Sequence, residues 1–225
     1  LSDGTLWPVP VTLDVDAALA DRLAVGDRLA LRDAEGVMLA ALTVEELWHA
    51  ERAPETEALF GTSDPDHPGV ARYLARRPPV SVAGRVEGLQ TPLHYDFREH
   101  RLAPSELRRL FARHGWRRVL AFQTHRTMHR AEQALTQSVA LELGANLLIH
   151  PAVGLSQPGD ADHYTRIRCY QALLPSYPKE MARLALLPLA LRGGGPREAL
   201  WHALVHRNYG CTHLMVEPNL GATVL

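Results

Sequence analysis

Lysine is almost missing: Lys179 is the only one among 24 basic residues, so the positive charge is nearly all arginine. Arginine's planar fork suits phosphate, but a basic content so nearly all arginine fits a coding bias better than a phosphate-binding role. Cysteine is scarce too. Cys169 and Cys211 give neither a disulfide framework nor a zinc motif and fit a reducing compartment. Charge of either sign is not in excess: the formal net charge is -1, which leaves no global field to draw nucleic acid or a membrane surface. No apolar run approaches the roughly twenty residues that span a bilayer, and LSDGTLWPVP lacks the charged start and apolar core of a signal peptide. These absences predict a cytoplasmic protein with no nucleic-acid and no membrane partner. A GxxxxGK[ST] phosphate loop is also missing, so no Walker-type nucleotide site lies in these residues.

What is present is enough chain, 225 residues, for one large or two small domains with a sizeable core. Residues 1–100 read as mostly β. Val9, Val11, Leu13 and Val15 alternate as a half-buried strand does, and Asp16 to Leu23 fits a short helix. Leu29 and Leu31 alternate again, and Asp33-Ala34-Glu35-Gly36 reads as a hairpin turn into a strand from Val37 to Leu42. Glu45 to Glu57 reads as polar and irregular. Pro78-Pro79 ends a short helix from Val70, and Val80, Val82 and Val86 around Gly84 suggest a bent strand. After a linker over His94 to Pro104, residues 101–225 alternate between strand and helix patterns, as a parallel α/β sheet does. The predicted strands are 118–122, 147–150, 183–189 and 213–216, with Leu184 to Leu187 central. The predicted helices are 129–143, 160–174 and 196–207.

The densest chemistry lies between the first strand and helix of that second part. Val119 to Phe122 is short and apolar enough for a buried parallel strand. Gln123-Thr124-His125-Arg126-Thr127 forms a polar elbow, and Ala131, Leu135, Val139 and Leu143 then recur at helical spacing. Strand, polar turn and helix place backbone N–H groups and a helix N-terminus against a phosphate. With the guanidinium groups of Arg126 and Arg130, the elbow is a candidate anion and nucleotide site. Further on, Asp160 is placed to cap the next helix, and Asp162, His163, Arg166 and Arg168 fall on its first two turns as scaffolding. Gly193-Gly194-Gly195 lets backbone approach a ligand, with Pro196 at a helix start. Arg192, Arg197 and His202 either face a nucleotide there or belong to an ordinary helix with a solvated face.

QTHRTMHRAE resembles the ATP sulfurylase signature Q-T-R-N-P-x-H-R-A-H. Gln123, Thr124, His129, Arg130 and Ala131 match; His125, Arg126, Thr127 and Glu132 stand where the family has Arg, Asn, Pro and His. The resemblance extends through NLLIHPAVGLSQPGDADHYTRIRCYQ and LALLPLALRGGGPREALWHALVHRNYGCTH, and earlier through LWPVPVTLDV, FGTSDPDHPGV and GRVEGLQ. It implies an α/β protein: a PUA-like β domain over 1–100, beginning inside the family's usual start, then a Rossmann-like nucleotidyltransferase domain with a parallel sheet over 101–225. It also implies attack of sulfate on the α-phosphate of ATP, with ATP as substrate in its Mg complex and no tightly bound cofactor. Carried over residue by residue, Thr124, His125, Arg126, His129 and Glu132 take the catalytic positions. Gln123, Arg126, Arg130 and His129 take the sulfate- and ATP-binding ones. The substitutions in the signature predict feeble or absent turnover, as does Val216-Glu217-Pro218-Asn219-Leu220-Gly221 where the family continues V-G-R-D-H-A-G. The GLQ and YDF phrasing is most similar to forms fused to an adenylylsulfate kinase, so a homo-oligomer and a fused kinase outside these residues are implied partners. His125, His129 and Glu132 also have the spacing of a two-histidine, one-carboxylate metal set. Because His125 precedes the helix pattern, no metal is expected.

Overall fold

The computed structural model describes residues 4–75, 77–154 and 161–216. The chain divides into two compact units, Leu1–Tyr95 and Asp96–Leu225.

In the first unit, alternation produces a strand later than Val9 suggests, β1 (Leu13–Val15). Asp16 then caps α1 (Ala17–Ala20), its carboxylate accepting from the Leu19 N–H at 2.7 Å. Strand β2 (Arg28–Arg32) turns where the Asp33 carboxylate accepts from the N–H groups of Glu35 and Val37, at 3.0 and 2.8 Å. The chain returns as β3 (Met38–His49), and helices α2 (Arg52–Phe60) and α3 (Pro68–Leu74) lead to β4 (Val80–Gly88). The sheet is antiparallel in the order β1-β4-β3-β2, over a core of Val15, Leu42, Val44, Val80 and Val82.

The irregular segment expected over Glu45 to Glu57 is instead the second half of β3 followed by α2. A register shift between Val44 and Glu46 breaks the two-residue alternation there, which hides the strand from a periodicity reading. Gly84 pairs with Val44 at this shift, and a Cβ on Gly84 would lie 1.9 Å from the Thr43 carbonyl oxygen. The bend in β4 therefore requires glycine for space.

The second unit follows the α/β alternation: α4 (Pro104–Arg113), β5 (Val119–Thr124), α5 (Arg130–Leu143), β6 (Asn146–Pro151), α6 (His163–Leu173), β7 (Ala182–Leu184), α7 (Gly195–Asn208) and β8 (His213–Met215). All pairings are parallel, in the order β7-β6-β5-β8. Alternate residues of the two central strands feed opposite cores. Leu120, Phe122, Leu147 and Ile149 meet Ala140 of α5 and Ile167 and Tyr170 of α6. Val119, Ala121 and Leu148 meet Leu107 and Phe111 of α4, with Val205 of α7 packed against them. The strand expected at the centre over Leu184 to Leu187 is at the edge and ends at Leu184. Ala185, Leu186 and Leu187 are buried; the Ala185 and Leu187 N–H groups donate to Ile149 O and Pro151 O of β6 at 3.0 and 2.9 Å, and Leu187 bridges Ala152 just beyond it. Ala185 and Leu187 serve one core and Leu186 the other, so an edge segment buried from both sides leaves the same apolar run that a central strand leaves.

Gly84→Ala should destabilise the first unit by roughly 3 kcal/mol, the upper part of the usual range for overpacking, because the nearest atom is backbone. Urea unfolding of the variant measures it.

Candidate functional site

The carboxyl ends of β5 and β6 and the N-terminus of α5 meet where parallel sheets place ligands. Gln123 and Thr124 belong to β5 rather than to the turn, since they pair with His150 and Pro151 of β6. The elbow proper is 125–129. Thr124 closes it: its hydroxyl accepts from the Arg126 N–H and donates to the Arg126 carbonyl, both at 3.2 Å. Two side chains of α6 hold the next carbonyls. The Arg166 guanidinium donates to His125 O at 2.6 Å, and the Tyr170 hydroxyl donates to Arg126 O. Burial, outweighing the Thr124 hydroxyl and the nearby Arg166 charge, pushes the Tyr170 hydroxyl up to about 12, so it stays a donor throughout the physiological range.

His129 is the N-cap of α5, and the Glu132 carboxylate accepts from the His129 N–H at 2.7 Å. Glu132 thereby satisfies one of the free donors that an anion would otherwise use. Arg126, His129 and Arg130 are exposed around this helix start, while His125 and Glu132 are half-buried. The arrangement offers two guanidinium groups and an imidazole to an anion, against one carboxylate already engaged with backbone. Among the described residues, no three His, Cys, Asp or Glu side chains gather as a metal site requires.

Gln123 lies apart from that exposed set. It is 8% exposed, and its Nε2 lies 3.1 Å from His202 Nδ1. Helix α7 therefore does not turn His202 to solvent, as an ordinary capped helix would. Glu198, His202 and His206 are each at most 2% exposed. The Glu198 carboxylate accepts from the N–H groups of Arg192 and Gly194, both at 2.7 Å, and its Oε1 lies 3.4 Å from His202 Nε2, a close approach without hydrogen-bond geometry. Burial alone would raise the Glu198 carboxyl, but the His202 imidazole and these two N–H groups outweigh it and hold it below its ordinary value. His206 Nδ1 donates to His202 O at 2.8 Å. His150 presents its ring edge-on to His206 and Tyr209, with centroids 5.1 and 4.7 Å away. Burial, with the neighbouring His206, holds His150 well below the usual imidazole range; burial brings His206 to about 4.

Three residues read as scaffolding, Asp162, His163 and Arg166, make structural contacts. Asp162 caps α6 by accepting from Tyr164 and Thr165 N–H, and His163 Nε2 lies 2.6 Å from Asp96, which also binds Arg101 at 2.7 Å. Burial opposes ionisation of Asp96, yet Arg101 and His163 hold its carboxyl at about 2. Arg197 is exposed, and the Arg192 guanidinium lies 5.4 Å over the Trp201 ring. Asp160 and Glu217 to Gly221 lie outside the described residues. Tyr170 and Glu198 were missed as site residues. The spacing of four from Arg166 to Tyr170 on a helix was a usable signal, as was an acidic residue in the turn after a glycine run that lacks a capping side chain.

An ATP-sulfurylase family model matches residues 98–221, and a PUA-like domain model matches residues 1–91. The sulfate adenylyltransferase of Schizosaccharomyces pombe is 47% identical over 218 residues, covering 96% of this chain and 44% of that one. The sulfate adenylyltransferase of Gibberella zeae is 48% identical over 219 residues, covering 96% and 38%. Among solved structures, the hexameric APS kinase from Thiobacillus denitrificans is similar with a TM-score of 0.77 at 37% identity, covering 98% of this chain and 40% of that one. The chain thus spans less than half the length of these relatives.

Stability of the second unit should fall on acidification. His206 has a folded value of about 4 against 6.5 for a free imidazole, so its contribution is complete above pH 6.5 and is lost as pH drops toward 4. Over that window the unfolded chain takes up a proton that the fold refuses, costing roughly 3 kcal/mol. In urea unfolding across pH 4–7, His206→Asn should reduce the pH slope by up to one proton; an unchanged slope would assign the uptake to other groups.

Proposed function

This chain belongs to the ATP-sulfurylase family, and from that premise we propose that it supplies the PUA-like and nucleotide-handling parts of a cytoplasmic sulfate adenylyltransferase. Its substrates are sulfate and ATP, the latter as the Mg complex. The observation that carries the reading is the strand, elbow and helix of β5 and α5, with Arg126, His129 and Arg130 exposed at the helix start. In the reaction a sulfate oxygen forms a bond to the α-phosphorus of ATP as the bond to the bridging oxygen breaks, and pyrophosphate leaves with that electron pair. Sulfate is a weak nucleophile, so catalysis rests on alignment and on cationic donors preorganised around the phosphoryl group. Gln123 serves sulfate, His129 and Arg130 the phosphates, and Thr124 sets the loop.

Turnover is proposed to be strongly impaired. His125 replaces a guanidinium, and Glu132 replaces an imidazole with a carboxylate beside a polyanionic substrate. Losing one preorganised donor lowers a rate by about 100- to 1000-fold. Arg126, next to the vacated position, compensates for one loss only. A second reading is favoured by the likeness to a structure described as a hexameric APS kinase, 40% of which this chain covers. In it the domain is a non-catalytic scaffold that supports a homo-oligomer with a fused adenylylsulfate kinase outside these residues.

A pyrophosphate-release assay should give turnover far below the ordinary enzyme range of roughly 1–1000 per second; a rate inside that range would refute the impairment.

Restoring the signature with His125→Arg, Arg126→Asn, Thr127→Pro and Glu132→His should raise adenylylsulfate affinity at least about tenfold, or 1.4 kcal/mol, by titration calorimetry. The helix should lose about 1 kcal/mol with the Glu132 cap. Unchanged affinity in a folded variant would favour the scaffold reading.

A further inference from the structure

We propose that His202, backed by Glu198, is a positioning residue that sets which end of the Gln123 carboxamide meets sulfate, and that sulfate binding therefore takes up a proton at His202. The inference rests on the sulfate role proposed for Gln123.

The argument starts from a donor that only donates. Gln123 Nε2 lies 3.1 Å from His202 Nδ1, and an amide nitrogen has no lone pair to offer. His202 Nδ1 must therefore accept, which leaves the ring proton on Nε2. Glu198 Oε1, 3.4 Å from that nitrogen, favours this tautomer by attraction. Glu198 is itself fixed by the N–H groups of Arg192 and Gly194. A chain of fixed groups thus runs from the start of α7 to the end of β5. At its end, Gln123 Oε1 is buried with no hydrogen-bond partner among the described residues.

A buried amide oxygen is the wrong group for sulfate, which only accepts. For Gln123 to serve the anion, its carboxamide must turn by about half a revolution, presenting NH₂ to sulfate and Oε1 to His202. Nδ1 must then carry a proton. Moving the existing proton from Nε2 would leave a bare lone pair facing the Glu198 carboxylate in a site of low polarity, where repulsion is strong. Taking a second proton from solvent avoids this, since the imidazolium then donates to Gln123 through Nδ1 and faces its counter-ion through Nε2. Among the described residues, the groups around His202 are Glu198, Trp201 and His206 on α7 and Gln123 on β5, with His150 of β6 beyond His206. The Arg192 guanidinium sits over Trp201. Glu198 is the only carboxylate in this group, so it supplies the counter-charge.

The test is calorimetric titration of the intact chain with inorganic sulfate, between pH 6.5 and 8, in buffers of different ionisation enthalpy. The parent protein should take up as much as one proton per sulfate. His202→Asn offers either an oxygen or an NH₂ to Gln123 without titrating, so its uptake should fall to near zero whatever its affinity. The elbow histidines His125 and His129 remain in both proteins, so unchanged uptake in the variant would assign the protons to them and overturn the proposal. Nitrogen-15 spectra of histidine-labelled parent protein give a reading that needs no variant: His202 Nδ1 should be unprotonated without sulfate and protonated at saturation. An Nδ1 that stays unprotonated at saturation overturns the proposal. Absence of any sulfate binding by the parent would instead remove the sulfate role of Gln123, and the inference with it.

Discussion

The elbow keeps its shape because α6 holds two of its carbonyls, His125 O through Arg166 and Arg126 O through Tyr170. Neither bond uses a side chain of the elbow. Each contributes on the order of 1 kcal/mol net, more for the charged donor, and both donors are anchored in buried α6 positions. Side chains at 125 and 126 can therefore change without moving the backbone that carries them. This is why a chain with four substitutions in its signature retains the strand, turn and helix of the family.

The same turn shows how a local stability rule meets a functional one. A carboxylate at the third position of a helix satisfies the N-cap N–H, and Glu132 does so. A helix start that binds anions needs such donors left free and cationic neighbours left unopposed. Glu132 serves the first requirement at the expense of the second.

Beneath the elbow, the α7 face of the sheet changes from apolar to polar as β5 and β6 approach their carboxyl ends. Ala121 and Leu148 give way to Gln123 and His150 at the next positions on the same face. His202 and His206 of α7 meet them, and burial keeps His150 and His206 neutral near pH 7. Neutral imidazoles in a dry site are stable only while unprotonated, so this region ties the stability of the unit to pH. Among the described residues it also leaves buried polar atoms, Gln123 Oε1 among them, without partners close to the carboxyl ends of the strands.

Much of this was legible in the sequence. Apolar runs and helical spacing placed β5, β6 and β8 and helices α5, α6 and α7 within a few residues, because both faces of a parallel sheet are covered. Side-chain identity at the elbow was equally plain, as was the likeness of its motif. The bulge at Val44 and Glu46 was not legible, because the register shift that erases the alternation is set by the partner strand. Leu184 to Leu187 reads as central because periodicity reports burial, and here two cores bury a segment at the sheet edge, with β6 on one side. The pairing of Gln123 with His202 spans 79 positions of sequence. A histidine on a helix reads the same whether it faces water or a buried amide, so only the packing of α7 on the sheet decided that it is the latter.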